Sequence, residues 1–181
     1  MEALSKPELL ALLKTAKAHS TRNWLMILVA YTHGLRASEV IGITRDAIKG
    51  EHLYIRRLKG SNETTQTLHQ DENPLLDERE ALFAFARNVQ PKQRLFPITR
   101  RQFGRIVARH AEEAGLPPHR RHPHMLKHTM GAAIYNDSHD LRLVRMRLGH
   151  KREGSSLIYS GRVEEQAADD QVESLLRGSH V

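Results

Sequence analysis

The chain has 181 residues, of which 39% are hydrophobic and 27% charged, as is typical of a folded globular domain. It contains no cysteine, which excludes disulfide scaffolds, thiolate metal sites and cysteine nucleophiles. The longest apolar run, residues 24–31, is much shorter than the roughly 20 residues that span a bilayer, and the N-terminus lacks the pattern of a signal peptide. We therefore expect a cytoplasmic protein without a membrane partner.

Basic residues outnumber acidic ones by 28 to 21, and this excess is unevenly distributed. Residues 163–181 contain five acidic residues and one basic residue, a net charge of −4, which leaves +11 on residues 1–162. We predict a basic domain over 1–162, called the basic body, followed by an acidic tail over 163–181. Such a body favours a polyanionic partner, most often nucleic acid. The alternative is a basic enzyme with no such partner.

The first third of the chain predicts three helices. Ser5 is expected to cap the first, with Glu8 completing a capping box before a leucine-rich stretch. The apolar run 24–31 predicts a buried second helix that ends near Gly34, and residues 36–43 predict a short third helix.

The middle of the chain predicts a small sheet. Residues 47–48, 53–55 and 64–68 are rich in β-forming side chains and are separated by turn-like segments at 49–52 and 59–63. We predict a three-stranded antiparallel meander.

Helical patterns return after this sheet. The predicted helices cover 75–87, a segment from the Thr99 capping box to Gly115, 124–135, 140–148 before Gly149, 155–159 and the acidic tail. The predicted fold is therefore mainly α with a small three-stranded antiparallel sheet, an α+β class.

Three histidines, His122, His124 and His128, lie within seven residues. His124 and His128 share a helix face, as zinc ligands can, but no acidic third ligand accompanies them in the sequence. Solvated imidazoles at a helix start, a metal site and a phosphate-binding site all stay open on spacing alone.

Arg36 follows a glycine turn at the start of a predicted helix, and Glu39 lies three residues further on. This arrangement can present a guanidinium to a phosphate, although the pattern is common and, taken alone, more often marks an ordinary surface ion pair. Tyr159 lies nine residues after His150. A tyrosine beside apolar residues is usually part of a core, but among cations it can act as a covalent nucleophile.

Taken in order, these motifs resemble the catalytic domain of the tyrosine recombinases, the phage integrase family, over residues 4–161. The segments Thr-His-Gly-Leu-Arg-Ala-Ser-Glu at 32–39 and His-Pro-His-Met-Leu at 122–126 look most like the small invertases that switch fimbrial genes.

The resemblance implies six catalytic residues: Arg36, Lys59, His124, Lys127, His150 and Tyr159. Glu39 would support Arg36. Lys127 stands where the family has its second arginine, and only an arginine can grip two phosphate oxygens with a planar fork. The nearby Arg120 and Arg121 could compensate. The predicted DNA-binding residues are Arg36, Lys59, Arg120, Arg121, Lys127 and Lys151.

The implied reaction is phosphoryl transfer on DNA without a metal or other cofactor. Tyr159 would attack the scissile phosphate, leaving a 3′-phosphotyrosyl link and a free 5′-hydroxyl. Lys59 would be the general acid and His124 the base or a hydrogen-bond donor, while cationic side chains stabilise the transition state. The implied partners are double-stranded DNA and three further copies of the chain, giving a homotetramer on DNA, a monomer without it, and a nucleoid-associated location.

Three alternatives stay open. A type IB topoisomerase uses similar chemistry as a monomer, and a catalytically weakened DNA-binding homologue would explain Lys127. A metal-dependent hydrolase built on the histidine cluster ranks last.

Overall fold

The structure is a computed structural model and describes residues 3–56 and 63–150. Within these ranges the chain forms seven α-helices and three strands, with short 3₁₀ turns at Arg45–Ala47 and Pro118–Arg120. The elements are α1 Lys6–His19, α2 Thr21–Thr32, α3 Ala37–Val40, β1 Ile48–Lys49, β2 His52–Ile55, β3 Thr64–Thr67, α4 Arg79–Ala86, α5 Arg100–Glu113, α6 His124–Ser138 and α7 Leu141–Leu148. The predicted fold class is confirmed.

Helix α2 forms the centre of the core, with residues 24–30 each no more than 2% exposed. It packs against α1 on one side and α6 on another. The predicted capping box of α1 is present: the Ser5 hydroxyl accepts from the Glu8 N–H, and Glu8 accepts from the Ser5 N–H. Leu9, Leu12 and Ala16 then fall on one buried stripe, so α1 covers α2 along a continuous apolar face.

The three strands form an antiparallel sheet in the order β1-β2-β3. Leu53 of β2 lies between Ile48 of β1 and Gln66 of β3. Along β2, Leu53 and Ile55 are buried while Tyr54 is exposed. Because directly paired residues share a face of the sheet, the amide side chain of Gln66 lies on the buried face. The predicted meander is confirmed, although most of its second turn lies outside the described residues.

Helix α4 begins at Arg79, four residues later than the sequence predicted. The carbonyl of Leu75 accepts a hydrogen bond of 2.9 Å from the indole of Trp24. Three residues after Leu75, the carboxylate of Glu78 is fully buried and accepts from the backbone N–H of His69. These contacts hold residues 75–78 in a turn that packs on the core, which local helix propensity could not reveal.

Two further helix boundaries differ from prediction. Helix α3 has only four residues. Beyond it, N–H groups donate to carbonyls three residues earlier, as Ile43 does to Val40, instead of four residues earlier as in an α-helix. Helix α6 continues to Ser138, and His139 then closes it with a φ of 51°. As predicted, Gly149 closes α7 directly after Leu148, with a φ of 68°, so His150 follows that turn.

The helices predicted at 155–159 and in the acidic tail lie outside the described residues. Among the helices that the structure does describe, none is long and apolar enough to cross a membrane.

Candidate active site

Arg36 is held at the start of α3 by Glu39. One carboxylate oxygen of Glu39 accepts the Arg36 backbone N–H at 2.8 Å, and the other accepts from the guanidinium at 3.2 Å. The Glu39 side chain is fully buried, whereas that of Arg36 is 33% exposed. The carboxylate therefore fixes the direction of a cation that still reaches the surface.

Gly34 places this arginine turn against the end of α7. Its φ is +58°, and a Cβ built on it would lie 2.2 Å from the Leu148 Cδ2. Only glycine combines a left-handed backbone with this close approach. The turn before Arg36 therefore packs directly on the last residue of α7, two residues before His150.

Arg36 and His124 line the same open pocket of about 390 Å³. Arg100, at the start of α5, and His122 also contribute to its lining. Burial and then the charges of Lys127, His122 and Arg36 lower the pKa of His124 below its ordinary value of 6.5. His124 is thus a neutral imidazole at neutral pH, able to accept a proton.

Lys127 follows His124 by three residues on α6 and is only 2% exposed. Its ammonium donates a hydrogen bond of 2.8 Å to the carbonyl of Leu148. His150 is itself buried, and its backbone N–H donates to Arg145 at 3.0 Å. Together with the close approach of Gly34 to Leu148, these contacts bring the start of α3, the first turn of α6 and the end of α7 to one place. Lys59, Lys151 and Tyr159 lie outside the described residues, so their roles stay predictions.

The structure directs Arg120 and Arg121 elsewhere. Arg120 forms a two-pronged ion pair with Glu8, at 3.1 and 2.6 Å. Arg121 donates to the Leu116 carbonyl at 2.7 Å and to Glu112 at 2.5 Å. Neither residue lines the pocket of Arg36 and His124. Their guanidinium groups instead join α1 and α5 to the segment before α6. The expectation that they compensate for the missing arginine, or bind DNA, therefore gains no support from this geometry.

The histidine cluster does not gather a third ligand among the described residues. The described residues do bring three potential ligands together elsewhere, on α1 and α5: His19, His110 and Glu113. His128 is buried on α6. The metal interpretation of His124 and His128 is therefore not supported by their surroundings.

Sequence reasoning missed Arg100 and the buried polar residues His33, Gln66 and Glu78. The last three are each no more than 6% exposed. They lie close together, at the end of α2, on β3 and in the turn before α4. His33 precedes the arginine motif, but no spacing rule pairs it with residues 33 and 45 positions away. Arg100 could have been noticed as a basic residue directly after the predicted cap Thr99.

Residues 2–165 match the phage integrase family, and the chain belongs to that family. It is also similar to the type 1 fimbriae regulatory protein FimB of Escherichia coli strain K12, with 32% identity over 166 residues that cover 87% of this chain and 82% of FimB. Both findings confirm the resemblance that the ordered motifs indicated.

Solved structures share the fold. The recombinase XerH bound to its difH substrate in a pre-cleavage complex matches with a TM-score of 0.69 and 23% identity, over 91% of this chain and 52% of XerH. A lambda integrase tetramer bound to a Holliday junction matches with a TM-score of 0.65 and 19% identity, over 84% of this chain and 47% of the integrase. This chain thus spans about half the length of these two proteins.

Proposed function

We propose that this protein is a site-specific DNA recombinase that breaks and rejoins DNA through a 3′-phosphotyrosyl intermediate. The observation that carries the proposal is the convergence of Arg36, His124 and Lys127 beside the turn that leads to His150. Family membership and the similarity to FimB support it.

In the proposed reaction the Tyr159 oxygen attacks the scissile phosphorus, and the bond from phosphorus to the 5′-oxygen breaks. The negative charge of the transition state needs fixed cations, which Arg36 and Lys127 supply with hydrogen bonding from His150. His124, neutral because of its lowered pKa, accepts the phenolic proton. Lys59 protonates the leaving 5′-oxygen, so protons balance and the phosphotyrosyl bond can be reversed by a new 5′-hydroxyl.

The proposed partner is double-stranded DNA, bound by the basic body. The open pocket already holds three groups suited to a phosphate, Arg36, Arg100 and His122. Strand exchange joins four DNA ends, and lambda integrase has been solved as a tetramer on a Holliday junction. We therefore extend the proposal to a homotetramer on DNA, assembled from monomers, in which the acidic tail docks on the basic body of a neighbouring copy.

The test is covalent trapping on nicked duplexes, in which the short 5′ fragment diffuses away after cleavage. A pool of such duplexes with randomised sequence is incubated with the protein, and adducts are isolated under denaturing conditions and sequenced. We expect an adduct that Tyr159→Phe abolishes while DNA binding and folding survive. No adduct from the wild-type chain, or one that persists in Tyr159→Phe, would overturn the proposal.

A further inference from the structure

We propose that His33 is a positioning residue of the active site. It belongs to a closed circuit of hydrogen bonds that fixes the turn before Arg36 relative to the turn before His150. The inference rests on the proposed recombinase function and deepens it, because it concerns how the catalytic turns are held in register.

The circuit runs through three elements. His33 Nδ1 lies 2.9 Å from Gln66 Oε1 on β3, and Gln66 Nε2 donates at 2.9 Å to the carbonyl of Arg147 on α7. The guanidinium of Arg147 returns to α2, donating at 2.9 and 2.6 Å to the carbonyl of Thr32. Since Thr32 precedes His33, the circuit is closed.

The direction of each bond is fixed by chemistry. The Arg147 carbonyl only accepts, so the Gln66 amide must turn its NH₂ toward Arg147 and its oxygen toward His33. The His33 Nδ1 therefore carries a proton. The other ring nitrogen, Nε2, lies 2.8 Å from a carboxylate oxygen of Glu78. Both ring nitrogens thus face oxygen, and the Nε2 side of the ring lies against the Glu78 carboxyl group.

Both members of this pair are fully buried. A buried polar contact of this kind contributes little net stability, because the desolvation of its groups offsets their attraction. Together with the hydrogen bonds of the circuit, it instead defines a single arrangement of the groups around it. The same Glu78 oxygen also accepts from the His69 backbone at 2.8 Å, which anchors the pair to the segment between β3 and α4.

The circuit lies directly behind the catalytic turns. His33 precedes Arg36 by three residues, and Arg147 precedes His150 by three. The close approach of Gly34 to Leu148 lies between these two positions. A loss of the circuit would therefore let the two turns shift against each other, and displacements of about 1 Å can cost ~10²-fold in rate.

The experiment compares His33→Gln and Gln66→Met with the wild-type chain on the nicked duplex recovered from the randomised pool. Gln66→Met keeps the length of the side chain but removes both of its circuit bonds. We expect single-turnover cleavage to fall by about 10- to 100-fold, whereas the Kd for the same duplex stays nearly constant. A purely structural role would lower Tm without this separation of rate from binding.

His110→Gln is the matched control. His110 is also buried, at 1% exposure, and also contacts a glutamate, Glu113, but it belongs to α5 outside the circuit. We expect it to lower Tm and to keep the cleavage rate. If His33→Gln does not fold, Gln66→Met alone tests the inference. A cleavage rate equal to that of the wild type, measured below the Tm of the variant, would overturn it. Absence of any wild-type adduct would instead reject the proposed function.

Discussion

The ammonium of Lys127 donates a hydrogen bond of 2.8 Å to the carbonyl of Leu148, two residues before His150. The lysine that the resemblance assigns to the position of the family's second arginine thus connects α6 to the end of α7 through a buried contact. This contact connects two motifs that lie 21 residues apart in the chain. In the proposed reaction Lys127 would offer the phosphate a point charge, where an arginine would offer two parallel donors.

We expect Lys127→Arg to raise the single-turnover cleavage rate, by up to ~10²-fold, the scale on which one oxyanion donor acts. Arginine has enough donors to keep the Leu148 contact and to bond a phosphate oxygen. Lys127→Met, which keeps the buried stem but no donor, should lower the rate. A rate unchanged or lowered in Lys127→Arg would show that the site is adapted to lysine.

Gly34→Ala should destabilise the protein more than Gly50→Ala. Both glycines have a positive φ, +58° and +55°, so both substitutions carry a backbone cost of about 1–2 kcal/mol. Only at Gly34 would the new methyl also meet the buried Leu148, whereas Gly50 has open space around it. We expect a further 1–3 kcal/mol at Gly34, roughly the cost of overpacking, measured by urea unfolding. Equal losses would contradict the packing of the turn on α7.

The pH dependence of cleavage should report His124. Its ordinary pKa of 6.5 is lowered in the folded protein, so the acid limb of the single-turnover rate should have its midpoint below 6.5. The same shift means that the unfolded chain takes up this proton first, so this contribution to stability is lost as pH falls from 6.5 through the lowered value.

A midpoint above 6.5 would contradict neutral His124 as the base. The control is His52→Asn, which alters an exposed histidine on β2 and should leave the profile unchanged. His124→Asn should remove the acid limb together with most of the activity.

Arg120→Ala should lower stability by about 1 kcal/mol, the upper range for a partly exposed pair, and should leave cleavage unchanged below Tm. The pKa of Glu8 is lowered, first by the Ser5 backbone N–H and also by Arg120. Its contribution is therefore complete above 4.5 and is lost as pH falls through the lowered pKa. The difference in Tm between wild type and variant should shrink in acid. A large loss of DNA cleavage in Arg120→Ala would show instead that Arg120 belongs to the active site.

Local signals in the sequence were sufficient for most helix boundaries. The capping boxes at Ser5 and Thr99 and the glycine at 149 are short-range features, and the structure contains all three. The order of Arg36, His124, Lys127 and His150 likewise singled out residues that the structure brings close to one another, and their catalytic roles stay predictions. Each of these residues lies in a compact motif that can be read without knowledge of the fold.

Long-range polar contacts could not be predicted in this way. The pairing of Arg120 with Glu8 spans 112 residues, and sequence spacing alone made that arginine look available for DNA. The sequence pattern placed Glu78 inside a predicted helix, and nothing in the local sequence indicated its contact with His33. That contact also explains why α4 starts late, since the residues before it serve the core rather than a helix.

The contact between Trp24 and Leu75 gives the protein a built-in optical reporter. Trp24 is the single tryptophan of the chain, is 2% exposed, and carries the Lys17 ammonium 4.0 Å above its ring. Its fluorescence therefore arises from one defined environment, where α1, α2 and the turn before α4 meet. The pocket of Arg36 and His124 is lined by other elements. Emission from this indole can therefore follow unfolding without a label, and a ligand bound in that pocket would not contact the reporter.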